Sequence, residues 1–142
     1  MYHVPHGLAN AMLLSYVIEF NATDKPTKQG LFPQYKYPFV KGRYAKIINY
    51  LLPDHKLKDD KDAKVQKLID MIESLKRKLD IPKSLKAYGI PEKDFLKNVD
   101  KLSEMAFDDQ CTGGNARYPL ISEIKELYLK AYYGEPVKHK NK

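Results

Sequence analysis

Apolar residues recur at helical intervals from the beginning of the chain. The first such stretch predicts a helix from about residue 7 to residue 20, because large apolar side chains stand four positions apart there. The residues concerned are Leu8, Met12, Tyr16 and Phe20, with Ala11, Leu14 and Ile18 beside them. Together they cover most sides of the helix. A helix of this kind is normally buried, so we expect it to lie inside the fold.

The same period continues through the rest of the chain. It predicts further helices near residues 39–52, 62–79, 81–89, 91–106 and 121–134. The second of the six predicted helices is expected to bury one stripe, composed of Val40, Tyr44, Ile47 and Leu51. No segment of the sequence alternates between apolar and polar residues clearly enough to indicate a strand. The predicted fold is therefore all-α, with six or seven helices.

Proline and glycine residues separate these helices. Residues 24–38 contain three prolines, and proline biases its predecessor away from helical angles, so this stretch is expected to be a connection. A second non-helical segment, residues 108–119, contains adjacent glycines and the single cysteine of the chain. The glycines allow the chain to turn, and Asn115 and Arg117 are suited to satisfying backbone groups in such a loop.

The length of 142 residues fits one domain with an ordinary apolar core. The single cysteine, Cys111, has no partner for an internal disulfide, which excludes a disulfide scaffold and a cysteine-rich metal finger. A reducing, cytoplasmic setting is therefore expected. The longest apolar stretch, residues 8–18, is far shorter than the ~20 residues needed to cross a bilayer, and it lacks the flanks of a signal peptide.

The formal net charge of +7 would suit a polyanionic partner. Its distribution argues against that partner, because lysines in residues 54–67 and 76–101 alternate with acidic residues, as on a solvated helix surface. Residues 138–142, in contrast, carry basic charge without acidic charge. We predict a helical domain over residues 1–134, a loose basic tail over residues 135–142, and no nucleic-acid or membrane partner.

One residue near the start has the chemistry of a metal ligand. His6 follows Pro5 and immediately precedes the first predicted helix, so a restricted backbone would hold its imidazole. A single histidine in such a place is also commonly an ordinary surface or capping residue. His3 lies three positions earlier but outside the predicted helix, so the spacing alone indicates no chelating pair.

Two longer stretches resemble a known family. Residues 3–14, followed by residues 17–18 and 20–23, resemble the Pro-His-Gly segment of iron-containing alcohol dehydrogenases. Residues 107–123, with the sequence FDDQCTGGNARYPLISE, resemble the carboxyl-terminal end of bifunctional aldehyde-alcohol dehydrogenases, one branch of that family. The resemblance extends over essentially the whole chain.

The resemblance implies the carboxyl-terminal helical domain of a two-domain enzyme with a dehydroquinate synthase-like fold. In that family an amino-terminal domain binds NAD, and one Asp and three His hold a divalent iron ion between the domains. The role of the last of these ligands carries over to His6. The implied reaction interconverts a primary alcohol, ethanol, and its aldehyde by hydride transfer, while the metal polarises the substrate oxygen.

The same resemblance places the other three ligands upstream of residue 1. His3, His55 and His139 do not match ligand positions of the family, and the chain has no glycine-rich turn of the dinucleotide-binding type. We therefore expect a truncated chain that does not catalyse the reaction alone and retains neither Fe2+ nor NAD. Cys111 is expected to line the active cleft, and no catalytic role is transferred to it.

The resemblance also implies partners. These are the upstream part of the same enzyme, and further copies of the enzyme in an oligomer or a filament. The alternative is a free-standing helical module for interaction or oligomerisation, without enzyme activity, which would bind another polypeptide through exposed apolar surface. A third alternative, a basic nucleic-acid binder, rests on the charge alone.

Overall fold

The computed structural model describes residues 2–24 and 39–139. Within these ranges it contains six α-helices, one 3-10 turn and no strand, which confirms the all-α prediction. The helices are α1 (His6–Asn21), α2 (Lys41–Leu51), α3 (Lys61–Lys78), α4 (Leu85–Tyr88), α5 (Glu92–Asp108) and α6 (Ile121–Tyr133), and the turn is Thr112–Gly114. Of the predicted connection at residues 24–38, only residue 24 lies within the described ranges. Among the helices described here, none is long and apolar enough to span a membrane.

α1 lies between two apolar clusters and contributes side chains to both. On one side Met12 packs with α5 and α6, where the rings of Phe95 and Tyr132 stack with their centroids 4.1 Å apart. On the other side Ile18 packs with α2 and α3 around Ile48, which is fully buried. Burial of each such large side chain contributes about 1.5–3 kcal/mol to the free energy of unfolding. The helix that bears His6 is therefore held by the core along much of its length.

Short-range contacts fix the ends of the helices. Asp60 and Ser84 precede α3 and α4, and a side-chain oxygen of each accepts the backbone N–H three residues later at 2.9 Å. These oxygens satisfy donors that a first helical turn leaves unpaired. α4 begins at Leu85 rather than near residue 81, because Ser84 supplies this cap. Gly134 ends α6 with φ of +70°, a conformation that glycine adopts readily.

α2 presents a different face to the core from the one predicted. Ile47 and Leu51, two members of the predicted stripe, are exposed, whereas Lys41, Ala45 and Ile48 are buried. The apolar residues of α2 occupy two adjacent faces, so the helical period alone does not choose between them. Packing of Ile48 against α3 makes that choice and turns Ile47 and Leu51 outward.

Residues 135–139, the described part of the loose tail predicted for residues 135–142, make specific contacts. The carbonyl oxygen of Glu135 accepts a hydrogen bond from the hydroxyl of Tyr16 at 2.8 Å, and Val137 packs against the second apolar cluster. The side chain of His139 is 2% exposed. Isolated residues rather than a periodic stripe make these contacts, so the sequence pattern gave no sign of them. The last three residues of the chain lie outside the described ranges.

Candidate functional site at the start of α1

His6 is the first residue of α1, and its side chain lies at the surface. Pro5 precedes the helix with φ of −54°, and its carbonyl accepts the N–H of Ala9 at 2.9 Å to close the first turn. Further upstream, the hydroxyl of Tyr2 donates to the carbonyl oxygen of Asp94 on α5 at 2.9 Å. The backbone on both sides of His6 is thus fixed, while its imidazole remains accessible.

Asn10 lies one helical turn after His6 and contacts its ring. The amide nitrogen of Asn10 lies 3.1 Å from Nε2 of His6, within hydrogen-bond distance. Residues four apart share one face of a helix, which explains why the two side chains meet. Sequence reasoning missed Asn10, although its position four residues after His6 was the available signal. The contact orients the imidazole of His6 without burying it.

Asn10 also belongs to an open groove of about 480 Å³ beside α1. The groove lies between α1, the turn after α5, and α6, and its lining is mainly apolar. The lining residues are Asn10, Val17, Phe20, Ala106, Cys111, Thr112, Asn115, Pro119, Ile124 and Leu127. Asn10 therefore connects His6 to the surface that Cys111 lines. A concave, mostly apolar surface with a few polar groups has the character of a small-molecule site.

The loop that carries Cys111 is tied to the end of α1 by paired amides. Asn115 and Asn21 exchange two side-chain hydrogen bonds, with N–O distances of 2.8 and 3.1 Å. Asn115 Nδ2 also donates to the carbonyl oxygen of Arg117 at 2.6 Å. The prediction that Asn115 satisfies a backbone group in this loop is confirmed. Asn21, which is buried, was not singled out from the sequence.

Arg117 makes the second tie between the loop and α1. Its Nη1 donates to the carbonyl oxygen of Phe20 at 3.0 Å, and the guanidinium lies 4.0 Å from the centre of the Phe20 ring. Its Nη2 pairs with Glu123 at 2.7 Å, and the other carboxylate oxygen of Glu123 accepts the N–H of Leu120. Charge-assisted and cation–π contacts of this kind hold a loop in one geometry. The predicted backbone role of Arg117 is also confirmed.

Cys111 lies at the surface of this loop. Its backbone N–H donates to Oδ1 of Asp109 at 2.8 Å, which helps to shape the turn before Thr112. The hydroxyl of Thr112 donates to the carbonyl oxygen of Ala106 at 2.5 Å and anchors the turn to α5. Cys111 thus lines the groove from a fixed backbone, and its predicted position in the active cleft of an enzyme stays a prediction.

The other histidines lie apart from His6 and are engaged differently. His55 uses both ring nitrogens: Nδ1 accepts the N–H of Leu57 at 3.1 Å, and Nε2 lies 2.8 Å from Oδ1 of Asn49. The ring of His139 pairs with Asp62, 2.6 Å away. His3 is exposed, with φ of +49°.

A stable metal site needs several donors that converge on one point. In residues 2–24 and 39–139, no group of three or more His, Cys, Asp or Glu side chains has the arrangement needed to hold a metal ion. These residues therefore do not fit an iron centre by themselves, and His6 is a single accessible donor next to Asn10, which lines the groove.

Comparison with known proteins adds independent information. Residues 1–132 match the model of the Fe-containing alcohol dehydrogenase family, C-terminal. The chain is 54% identical over 136 residues to the bifunctional aldehyde-alcohol dehydrogenase of Escherichia coli (strain K12), and the match covers 94% of this chain and 15% of that protein.

Two further relatives are similar over nearly the same length. The chain is 48% identical to the aldehyde-alcohol dehydrogenase of Clostridium acetobutylicum, over 95% of this chain and 15% of that protein. It is 37% identical to the NADPH-dependent butanol dehydrogenase of Clostridium saccharobutylicum, over 96% of this chain and 31% of that protein. The chain thus spans less than a third of the length of each of these relatives.

Proposed function

Since this chain belongs to the Fe-containing alcohol dehydrogenase family, we propose that it supplies the C-terminal helical part of an aldehyde-alcohol type of alcohol dehydrogenase. The proposed reaction is the reversible, NAD- and iron-dependent interconversion of a primary alcohol, ethanol, and its aldehyde. In this reaction a hydride passes between the alcohol carbon and the nicotinamide ring. The part of the enzyme represented here contributes one wall of the active cleft.

The observation that carries the proposal is the contact of His6 with Asn10, a residue that lines the groove. His6 lies in the Pro-His-Gly segment, is accessible, and is oriented by Asn10, which itself lines the groove. The Cys111 loop, whose sequence resembles the aldehyde-alcohol branch, lines the same groove and is tied to α1 through Asn115. Family segments that are distant in sequence therefore meet around one apolar surface.

His6 is proposed as one metal ligand of the intact enzyme. Among the described residues no group of three or more His, Cys, Asp or Glu side chains could hold a metal ion, so the remaining ligands are proposed to come from polypeptide outside this chain. A ligand set of one does not hold iron against solvent, because affinity depends on ligand number and geometry. The 142-residue chain is accordingly proposed to be inactive alone.

The chain alone provides the first test. The purified chain is incubated with ethanol, Fe2+ and either NAD or NADP, since one relative is named as NADPH-dependent. We expect no reduced nicotinamide by absorbance and no stoichiometric iron by mass spectrometry after gel filtration. Sustained turnover, or iron retained at one ion per chain, would contradict the proposal that donors from outside are needed.

A chimera provides the second test. The matching 15% of the Escherichia coli enzyme is replaced by this chain, and the chimera is assayed for ethanol oxidation and iron content. We expect an active, iron-containing chimera, and we expect His6→Ala to lose both iron and at least roughly 100-fold in rate. His3→Ala is the matched control, because His3 is also exposed and lies three residues away. A His6→Ala chimera that keeps iron and activity would exclude His6 as a ligand.

The proposal also includes the binding partners of the chain and its place in the cell. The upstream part of the enzyme is proposed to cover the exposed side of α1. The apolar side chains of Leu14 and Val17 are 43% and 38% exposed there. We also propose that further copies of the enzyme bind in an oligomer or filament, which light scattering of the chimera tests. The proposed setting is cytoplasmic, and cell fractionation tests it.

A further inference from the structure

The outward face of α2 is apolar and aromatic to an unusual degree. Tyr50 is 86% exposed and Phe39, two residues before the first residue of α2, is 56% exposed. Ile47 and Leu51 are also exposed, because the core takes the opposite face of α2 through Ile48. Single exposed apolar residues are ordinary, but a contiguous group of this kind marks a contact surface. We call these four exposed residues the α2 face.

Two open pockets adjoin the α2 face along its length. The first, of about 690 Å³, is lined by Val40, Arg43, Tyr44, Lys46, Ile47 and Tyr50. The second, of about 490 Å³, lies past the end of the helix between Leu51 and Leu57 and includes Lys67 of α3. Ile47 and Tyr50 line the first pocket and Leu51 lines the second, so the three features form one elongated surface. An elongated apolar surface flanked by pockets fits an extended or helical polypeptide segment better than a small molecule.

The charges along this surface are predominantly positive. α2 contains no acidic residue, and its basic residues Arg43 and Lys46 are exposed, whereas Lys41 is buried and paired with Asp24 and Asp62. Arg43 and Lys46 line the first pocket, and Lys56 and Lys67 line the second, where Asp54 is the single acidic residue of the lining. This differs from the mixed charge of α3 and α5. A basic rim around an apolar centre selects an acidic partner, since complementary charges favour encounter and like charges oppose it.

We propose that the α2 face is a docking site for an acidic amphipathic helix of another polypeptide. The apolar stripe of that helix lies on Tyr50, Ile47 and Leu51, and its acidic residues face Lys46 and Lys56. Tyr50 is the central anchor, because a tyrosine buries a large ring at a small cost in side-chain entropy and keeps its hydroxyl at the polar rim. This site is separate from the groove beside α1 and does not depend on alcohol dehydrogenase activity.

The test uses the full chain and a labelled synthetic probe. The probe is a helical peptide of about 18 residues with leucine on one face and glutamate on the other faces. Two comparison peptides carry lysine in place of glutamate, or serine in place of leucine. We expect saturable binding of the acidic amphipathic peptide by fluorescence anisotropy, weakening with added salt, and much weaker binding of both comparison peptides.

Matched variants locate the binding site. Tyr50→Ala and Lys46→Glu are each expected to weaken binding of the probe about tenfold, the size of effect expected at an anchor and a facing charge. Leu96→Ala and Lys97→Glu, on the exposed surface of α5, are the controls and are expected to change binding by less than about twofold. All four side chains are exposed, so circular dichroism should show unchanged folding.

Several outcomes would overturn the proposal. These are equal loss of binding in the α5 variants, equal binding of the lysine peptide, equal binding of the peptide without leucines, or no saturable binding. Light scattering of the chain alone tests whether a second copy of the chain occupies the α2 face. A concentration-dependent dimer that Tyr50→Ala abolishes would assign the α2 face to a second copy of this chain instead.

Discussion

Nε2 of His139 lies 2.6 Å from Oδ1 of Asp62, and this contact ties the end of the described chain to the first turn of α3. Asp62 also forms an ion pair with Lys41, whose Nζ lies 2.8 Å from Oδ2 of Asp24. One small charge cluster therefore joins the chain after α1, the starts of α2 and α3, and the segment after α6. The backbone N–H of His139 adds a hydrogen bond to Gln66 at 2.6 Å.

Removal of the His139 ring is expected to release the segment after α6. A hydrogen bond to a charged group contributes roughly 1.5–3 kcal/mol, so His139→Ala should lower the free energy of unfolding by about that amount. Urea denaturation measures the change, and NMR relaxation of the Val137 methyl groups, which pack against the second apolar cluster, should show greater local motion. Lys138→Ala, at the exposed neighbouring position, is the control. Equal methyl relaxation of Val137 in His139→Ala and in the original chain would show that Val137 packing alone holds the segment.

The Asp62 carboxylate should give the cluster a dependence on pH. Partial burial disfavours the charged form, but hydrogen bonds from Lys41 and His139 outweigh it and lower the pKa of Asp62 below its ordinary value. A carboxyl whose pKa is lower in the folded state stabilises the fold at pH above its unfolded pKa. That stabilisation is lost as the pH falls through the folded pKa.

Asp62→Asn is therefore expected to cost about 3 kcal/mol near neutral pH, because it leaves buried Lys41 with one carboxylate partner instead of two. The difference between variant and original chain should shrink as the pH falls below the ordinary range of an aspartate carboxyl, because the lowered pKa of Asp62 delays its protonation to that range. Urea denaturation at several pH values measures this. Asp59→Asn, at an exposed position in the same region, should show no such trend. A difference independent of pH would mean that the charge of Asp62 is not its stabilising feature.

The core helices were predictable because their apolar residues recur with the helical period. Val65, Leu68 and Ile69 of α3 are buried as the helical repeat indicates, and Phe95 and Val99 of α5 likewise. The orientation of α2 was not predictable, because its apolar residues fill two faces and only the packing against α3 distinguishes them. Local pattern specifies a helix, whereas the choice of face is a property of the whole fold.

In the candidate site, too, some residues were predictable from the local sequence and others were not. His6 and Cys111 were identified by residue type and family resemblance, and Asn115 and Arg117 by their suitability for a loop. Asn10 escaped notice because its role depends on which face of α1 lies next to the groove. The His139–Asp62 contact joins residues 77 positions apart, and nothing in either local sequence announces it.

Two glycines are expected to respond oppositely to substitution by alanine. Gly134 has φ of +70°, and a Cβ there would meet the Cβ of Ser84 at 3.0 Å, so Gly134→Ala should lower the free energy of unfolding by at least about 1–2 kcal/mol. Gly42 lies in α2 with open space around it, so Gly42→Ala should raise it by up to about 1 kcal/mol. Thermal denaturation followed by circular dichroism measures both. Loss of stability in both variants would mean that the two positions differ less in backbone strain than their φ angles indicate.

The paired amides of Asn21 and Asn115 should behave as one unit. Replacing either by alanine leaves the other amide partly unsatisfied at a partly buried position, which costs about 1–3 kcal/mol. Replacing both removes the unsatisfied partner as well, so the double variant should lose less than the sum of the single losses. The expected coupling energy from a double-mutant cycle is about 1 kcal/mol or more, measured by urea denaturation.

Asn21→Ala with Asn98→Ala is the control pair for that cycle, because Asn98 bonds to the carbonyl of Asp94 on α5 and has no contact with Asn21 among its hydrogen bonds here. Its two losses should simply add. Additive losses at Asn21 and Asn115 as well would mean that Arg117 alone ties the loop to α1. In that case Arg117 would be the residue that holds the Cys111 loop against α1. Asn115 would then line the groove without fixing the position of the loop relative to Asn10.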